Sequence, residues 1–390
     1  MIAGPSISAE RLLRDLGDLA AIGGRPDGGV DRVAGSAADV EARMWLRRRL
    51  EEAGLEAWAD QVNNVFGRLP GGSPPWLLVG SHTDTVPAGG RLDGAYGVVA
   101  AVEVLRSLQE SGHPTAAQVE IVSFHDEEGA IGSGGLTGSR ALLKDDHARE
   151  LSGYLEIHIE QGPVLEAQGA DVAVVDGIVG IRRLNVLMEG QANHAGTTPY
   201  AARHDAGAAA AKLAWQVREI LQRTDAAMVG NVGVIAFEPG SPNVVPGRAT
   251  LVVEMRSLSS KSLDRAEEAV LEAARQAAGD FGCRASAEVG LAVDPVQMDP
   301  DIIDSLAKVC ERSGRPWRHM TSGAGHDAGA MAAHVPAGML FVPSRGGISH
   351  SPGEHTDDRL LVQGAQLLLE AVVEIAGKLS RLSRLPGLPG

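Results

Sequence analysis

The chain has 390 residues, with Lys plus Arg 35 and Asp plus Glu 50, and so a formal net charge of −15. That balance argues against binding to nucleic acid or to an anionic membrane, which cationic surface drives. Apolar residues at 44% and charged residues at 22% are ordinary for a globular chain and exclude a disordered one.

An anionic substrate would have to be captured by a local arginine or a metal, because the overall field repels it. Two isolated cysteines, Cys283 and Cys310, make neither a disulfide scaffold nor a thiolate zinc site and fit a reducing, cytoplasmic setting. The N-terminus lacks a basic segment followed by an apolar one, and no run approaches the roughly 18 apolar residues of a membrane span.

Apolar spacing predicts amphipathic helices over 8–22 and 36–54. Short apolar runs at 76–80, 119–124 and 154–159 then read as buried strands, with a helix over 96–111 between the first two. This alternation predicts an α/β fold with a mostly parallel sheet. Beyond it the pattern becomes strand, helix, strand, strand, helix, strand, with helices at 205–223 and 261–280. That order is the ferredoxin-like βαββαβ arrangement. A helix at 300–313, a strand at 337–343 and a helix at 359–380 resume the α/β pattern, and the tail RLSRLPGLPG is expected to fray. The organisation expected is a catalytic domain in two parts, 1–182 and 296–390, interrupted by an inserted lid or dimerisation domain at 183–295.

Four of the predicted core strands run into segments carrying His or acid side chains. They are SHTDTV with His82 and Asp84, then LDG with Asp93; HDEEG with Asp126, Glu127 and Glu128; EIHIEQ with His158; and ISHSPGEH with His350 and its rival His355. Sites in α/β sheets form at the carboxyl ends of strands, so these residues are expected to converge. Imidazoles with carboxylates suit zinc or another divalent first-row ion. Their number exceeds one tetrahedral shell, and a carboxylate bridging two ions accounts for the surplus. Each residue alone has an ordinary structural reading. His158, inside a strand, is the hardest to dismiss, because a buried polar side chain needs a partner.

The motifs GSHTDTV, LDGAYGV, EEG, HIEQGP, HAGTTP, PNVVPG, SGAGHDA and GISHSPGE occur in this order. Together they resemble the di-zinc amidohydrolase family of N-carbamoyl-L-amino acid hydrolases and allantoate amidohydrolases. That family is a branch of the two-domain metallopeptidases and deacylases. The resemblance implies two divalent ions, zinc by default, with manganese, cobalt or nickel as alternatives. His82, Asp93 and His158 would hold one ion, with Asp93 bridging, and Glu128 and His350 would complete the second. His350 is preferred to His355 because HSPGE satisfies the family's pattern of His, three residues, then Glu. Glu127 would be the general base, and Asp84 would orient His82. Asn243 and Arg256 would grip the substrate carboxylate, Gln161 and His326 would line the pocket, and His194 would contact the reacting group from a partner subunit of a homodimer. The implied reaction is hydrolysis of an N-carbamoyl-L-amino acid to the amino acid, ammonia and carbon dioxide. Allantoate is the alternative substrate, and an exopeptidase or N-acyl amino acid deacylase is a further one. Two departures stand out: Glu128 is followed by GAIGSGG rather than an Arg-Phe pair, and Glu254 replaces the usual Asp two residues before Arg256.

Overall fold

The computed structural model describes residues 4–382. The expected frayed tail therefore falls, from residue 383 onward, outside the described residues. The chain divides into two compact units, one made of Met1–Gly177 with Gln297–Gly390 and the other of Ile178–Val296.

In chain order the first unit begins with α1 (Ala9–Ala21), α2 (Ala37–Glu52), β1 (Glu56–Ala59), β2 (Val65–Arg68), β3 (Trp76–His82), α3 (Ala95–Glu110) and β4 (Val119–Phe124). It continues with α4 (Thr137–Leu142), β5 (Leu151–Ile159), α5 (Val164–Gln168) and β6 (Val172–Ile178). The second unit holds β7 (Gly180–Glu189), β8 (Asn193–His194), α6 (Ala206–Thr224), β9 (Val229–Glu238), β10 (Val244–Val245), β11 (Arg248–Ser257), α7 (Ser260–Asp280) and β12 (Arg284–Val293). The chain then forms β13 (Val296–Gln297), α8 (Pro300–Ser313), β14 (Trp317–Ser322), α9 (Asp327–Met331), β15 (Ala337–Val342) and α10 (Asp358–Leu382).

Helix limits follow local chemistry. Ser36 caps α2 by accepting from Asp39 N at 3.2 Å. Asp299 caps α8 through Asp301 N and Ile302 N, Pro300 occupies its first turn, and Gly314 at φ 67° ends it.

The larger sheet runs β1-β2-β4-β3-β5-β15-β6-β13, with β14 attached to β6. The neighbours β4, β3, β5 and β15 are parallel to one another. Strands β2 and β6 join them antiparallel. Every residue of β3, β4 and β15 is buried, which is why these strands read as continuous apolar runs rather than alternating ones. Val79 and Ile121 are fully enclosed, each side chain contributing about 1.5–3 kcal/mol of burial. Among the described residues, one helical stretch, Asp358–Lys378, has the length and apolar composition to cross a membrane. Its Leu361, Leu368, Leu369 and Val372 are packed in the core instead.

The second unit is an antiparallel sheet of order β12-β7-β11-β9. Alternate residues of β7 and β11, including Leu184, Val186, Leu251 and Val253, pack with Leu213 of α6 and Val270 of α7. The fold is thus mixed α/β, with a mostly parallel central sheet and a separate antiparallel one, as the sequence predicts.

Candidate metal centre

Because β4, β3, β5 and β15 are parallel neighbours, their carboxyl ends lie along one edge of the sheet. His82 ends β3, the Asp126–Glu128 loop follows β4, His158 lies near the end of β5, and His350 sits in the loop after β15. Asp93 immediately precedes Gly94 and α3. Gly94 has φ 62°, and a Cβ there would fall 2.4 Å from the His82 ring, so only glycine lets the loop close onto that histidine.

The ring orientations are set by backbone carbonyls. His82 Nδ1 lies 3.0 Å from Asp84 O, and His158 Nδ1 lies 2.8 Å from Ile159 O. A carbonyl only accepts, so both neutral rings carry the proton on Nδ1 and turn an Nε2 lone pair inward. Both lone pairs lie near acid oxygens, and that of His158 also accepts from Gly94 N at 3.0 Å. His158 Nε2 is 3.0 Å from Asp93 Oδ1, while His82 Nε2 is 3.7 Å from Asp93 Oδ1 and 3.8 Å from Glu127 Oε2. The other oxygen of Asp93 faces a second group: His350 Nε2 lies 3.0 Å from Asp93 Oδ2 and 3.5 Å from Glu128 Oε2.

Two ligand-type triads result, His82–Asp93–His158 and Asp93–Glu128–His350, sharing Asp93. A third grouping, Glu156–His158–His326, draws on the same His158. Its Glu156 already accepts from Ser81 Oγ at 2.7 Å, Tyr154 Oη at 3.2 Å and Ala328 N at 2.9 Å. That buried acid ties β5 to Ser81 of β3 and to Ala328 of α9, a structural role that no sequence motif marks.

Electrostatics favour a cation here. Burial raises Glu127 well above the usual carboxylate range, only partly offset by His82. Burial and the charge of Asp93 raise Glu128 too, and its Oε1 is buried without a hydrogen-bond partner. Burial opposes the charge on Asp93, but the facing His158 and His350 rings, when protonated, donate to it and hold the group well below its ordinary value. Asp93 holds His350 up at about 9. Lone pairs aimed at carboxylates, with an orphaned acid oxygen beside them, need protons or cations between them, and the nitrogen–oxygen donor set fits divalent metal.

Other predicted residues fall as follows. Asp84 lies 3.5 Å from His82 Nδ1 by its carboxylate, farther than by its carbonyl. The carboxylate oxygens also accept from Glu127 N at 3.2 Å and Glu128 N at 3.3 Å, so Asp84 links the His82 and Glu127 loops. Gln161, at φ 58°, donates from Nε2 to Asp93 Oδ2 at 2.9 Å. The buried His326 ring packs 4.5 Å from that of His158, and its Nε2 meets Ser322 Oγ at 3.0 Å. His355 pairs with Asp357 at 3.3 Å and belongs to neither triad.

In the second unit, His194 and Val244 are register partners between β8 and β10, and Ala195 N donates to Asn243 O at 2.9 Å. His194 Nδ1 accepts from Gly196 N at 3.0 Å and Thr197 N at 3.2 Å. The neutral ring therefore carries its proton on the exposed side at Nε2, as a donor. Glu254 accepts from Arg256 Nε at 3.0 Å and Nη2 at 2.8 Å, and from Arg183 Nε at 3.1 Å, so the unusual glutamate joins two guanidinium groups.

Comparison with known proteins agrees with this chemistry. The model of Peptidase family M20/M25/M40 matches residues 78–374. The N-carbamoyl-L-amino acid amidohydrolase of Geobacillus stearothermophilus is 34% identical, the match covering 95% of this chain and 99% of that protein. The allantoate amidohydrolase of Bacillus subtilis (strain 168) is also 34% identical, covering 92% and 95%. The crystal structure of a hydantoinase/carbamoylase family amidase from Burkholderia phymatum superposes with a TM-score of 0.87 at 38% identity, covering 97% of this chain and all of that one. With a metal-dependent family matched over most of its length and amidohydrolases aligned almost end to end, the chain belongs to peptidase family M20/M25/M40 and is a hydrolase of non-peptide carbon–nitrogen bonds in linear amides.

Proposed function

We propose that the chain hydrolyses the carbamoyl group of an N-carbamoyl-L-amino acid, yielding the amino acid, ammonia and carbon dioxide. The observation that carries the reading is Asp93, whose two oxygens face two separate sets of histidine and acid. In this reading His82, Asp93 and His158 hold one divalent ion, and Asp93, Glu128 and His350 hold the other, zinc being the first choice. When bound, the ions supply positive charge that lowers the pKa of water towards 7 and polarises a carbonyl.

The chain's own groups do the rest. Glu127 belongs to neither triad and faces the same cluster. It takes a proton from water as the water oxygen bonds to the carbamoyl carbon, and passes it to the leaving nitrogen as the carbon–nitrogen bond breaks. His194, with Nε2 as donor, hydrogen-bonds the oxyanion. Arg256, oriented by Glu254, and Asn243 bind the substrate carboxylate, and Gln161 and His326 line the pocket.

The second unit acts as a lid and as the dimer contact through which His194 reaches a partner subunit. Supporting a homodimer, edge strand β9 exposes Val234, Ile235 and Phe237, and Trp215 of α6 is 87% exposed. Unpaired Cys283 and Cys310 support a reducing, cytoplasmic setting.

Allantoate, which also carries ureido groups beside a carboxylate, is the second reading, favoured by the Bacillus subtilis relative. A screen for ammonia release from N-carbamoyl-L-amino acids, allantoate and dipeptides, with zinc, manganese or cobalt added, tests the proposal. Turnover of an N-carbamoyl-L-amino acid is expected. Dipeptide cleavage without ammonia from any ureido acid contradicts it.

A further inference from the structure

Glu354 lies four residues beyond His350 and is 4% exposed. Its Oε1 accepts from Leu92 N at 2.8 Å and Asp93 N at 3.1 Å, and its Oε2 accepts from Ser349 Oγ at 2.8 Å. Ser349 Oγ is in turn 3.4 Å from Asp93 Oδ2. Gly90 completes the arrangement, because a Cβ there would fall 2.0 Å from the Glu354 carboxylate. One buried carboxylate thus ties the loop between β3 and α3 to the loop after β15. Neutral donors satisfy it, and desolvating a carboxylate for such partners is costly unless it fixes something.

We infer that Glu354 is a positioning residue, which sets the backbone of Asp93 so that its two oxygens point to separate metal sites. The inference rests on the reading that Asp93 and His350 hold metal. Aspartate has only two side-chain torsions, so fixing its N–H direction and the neighbouring hydroxyl largely fixes where its oxygens aim.

The test is zinc affinity of the folded chain, measured by chelator competition, for wild type, Glu354→Ala, Glu354→Gln and Gly90→Ala, with the metal-free thermal midpoint recorded for each. Glu354→Ala is expected to weaken zinc binding about 10- to 100-fold, the usual cost of losing a group that orients a ligand. Glu354→Gln keeps an Oε1 acceptor for both N–H groups and should retain most of the affinity. Gly90→Ala displaces the carboxylate without altering a charge and should reproduce the weakening. If Glu354→Ala does not fold, the contrast between Glu354→Gln and Gly90→Ala carries the same test. Glu354→Ala and Gly90→Ala chains that bind zinc like wild type, with or without a change in thermal midpoint, overturn the inference alone. A wild-type chain that binds no zinc overturns the metal reading and this inference together.

Discussion

Replacing Glu127 by glutamine tests proton transfer while leaving the side-chain volume unchanged. The carboxylate lies 3.8 Å from His82 Nε2, is 10% exposed and belongs to neither ligand triad that shares Asp93. The zinc content of Glu127→Gln should therefore equal that of wild type. A positioned general base contributes about 10²- to 10⁴-fold. Turnover of an N-carbamoyl-L-amino acid at saturation should fall by that factor, about 2.7–5.5 kcal/mol in the barrier. Glu127→Asp keeps the base but withdraws it by about 1.5 Å, and a misplacement of that size costs on the order of 10²-fold. The expected order of activity is Glu, then Asp, then Gln. Ammonia release gives turnover, and elemental analysis of the same samples gives zinc per chain. A glutamine variant with more than a tenth of wild-type turnover refutes the base role. One that loses zinc along with activity shows that Glu127 acts through the metal site instead.

Arg256→Lys keeps the charge but loses the fork, so kcat/KM for an N-carbamoyl amino acid should fall about 10- to 100-fold through loss of one charge-assisted hydrogen bond worth about 1.5–3 kcal/mol; an unchanged KM removes Arg256 from carboxylate binding. Leu213→Ala empties a fully buried position in the core of the second unit and should cost about 2–5 kcal/mol in urea unfolding without changing zinc content. Less than about 1 kcal/mol would mean the site collapses freely. Glu120 hydrogen-bonds the His147 ring at 2.5 Å and raises its pKa above 6.5, outweighing burial. A raised histidine pKa contributes stability that is complete below the unfolded value and is lost as pH rises through the folded one. The stability gap between wild type and His147→Gln should therefore be largest near about pH 6 and shrink towards about pH 9; a gap independent of pH refutes it.

Much of the fold was legible because local signals agreed with one another. Helix α8 was expected at 300–313 and spans Pro300–Ser313, since Asp299, Pro300 and Gly314 punctuate it in the usual order. Strand β15 is expected at 337–343 and spans Ala337–Val342, its continuous apolar run reflecting burial on both faces. The hairpin of β1 and β2 went unread because each strand has four residues and β1 is largely unburied. Strand β6 went unread too, separated from β7 by a single residue, so two strands ran together in the sequence. The parallel direction of the central strands followed from their alternation with helices, but the antiparallel direction of β6 was not legible, because an apolar run looks the same in β6 as in β3.

For the candidate site, the residue types and their convergence at the strand ends were readable, while the distances and ring orientations were not. His82, Asp93, Glu128, His158 and His350 come from separate loops and strands, and the parallel order β4-β3-β5-β15 is what brings them to one edge. Glu354 escaped notice as a strut because two of its partners are backbone N–H groups 262 and 261 residues away, which no side-chain motif encodes. The backbone carbonyls of Asp84 and Ile159, which turn His82 and His158 inward, are likewise invisible in a list of side chains.

The most direct measurement is the number of zinc ions bound per chain after loading and dialysis, in wild type and in Asp93→Ala. Since Asp93 belongs to both triads, two ions are expected in wild type and fewer than one in the variant. A wild-type chain that turns over a ureido acid while holding less than one ion, or an Asp93→Ala chain that keeps two, contradicts a shared metal pair.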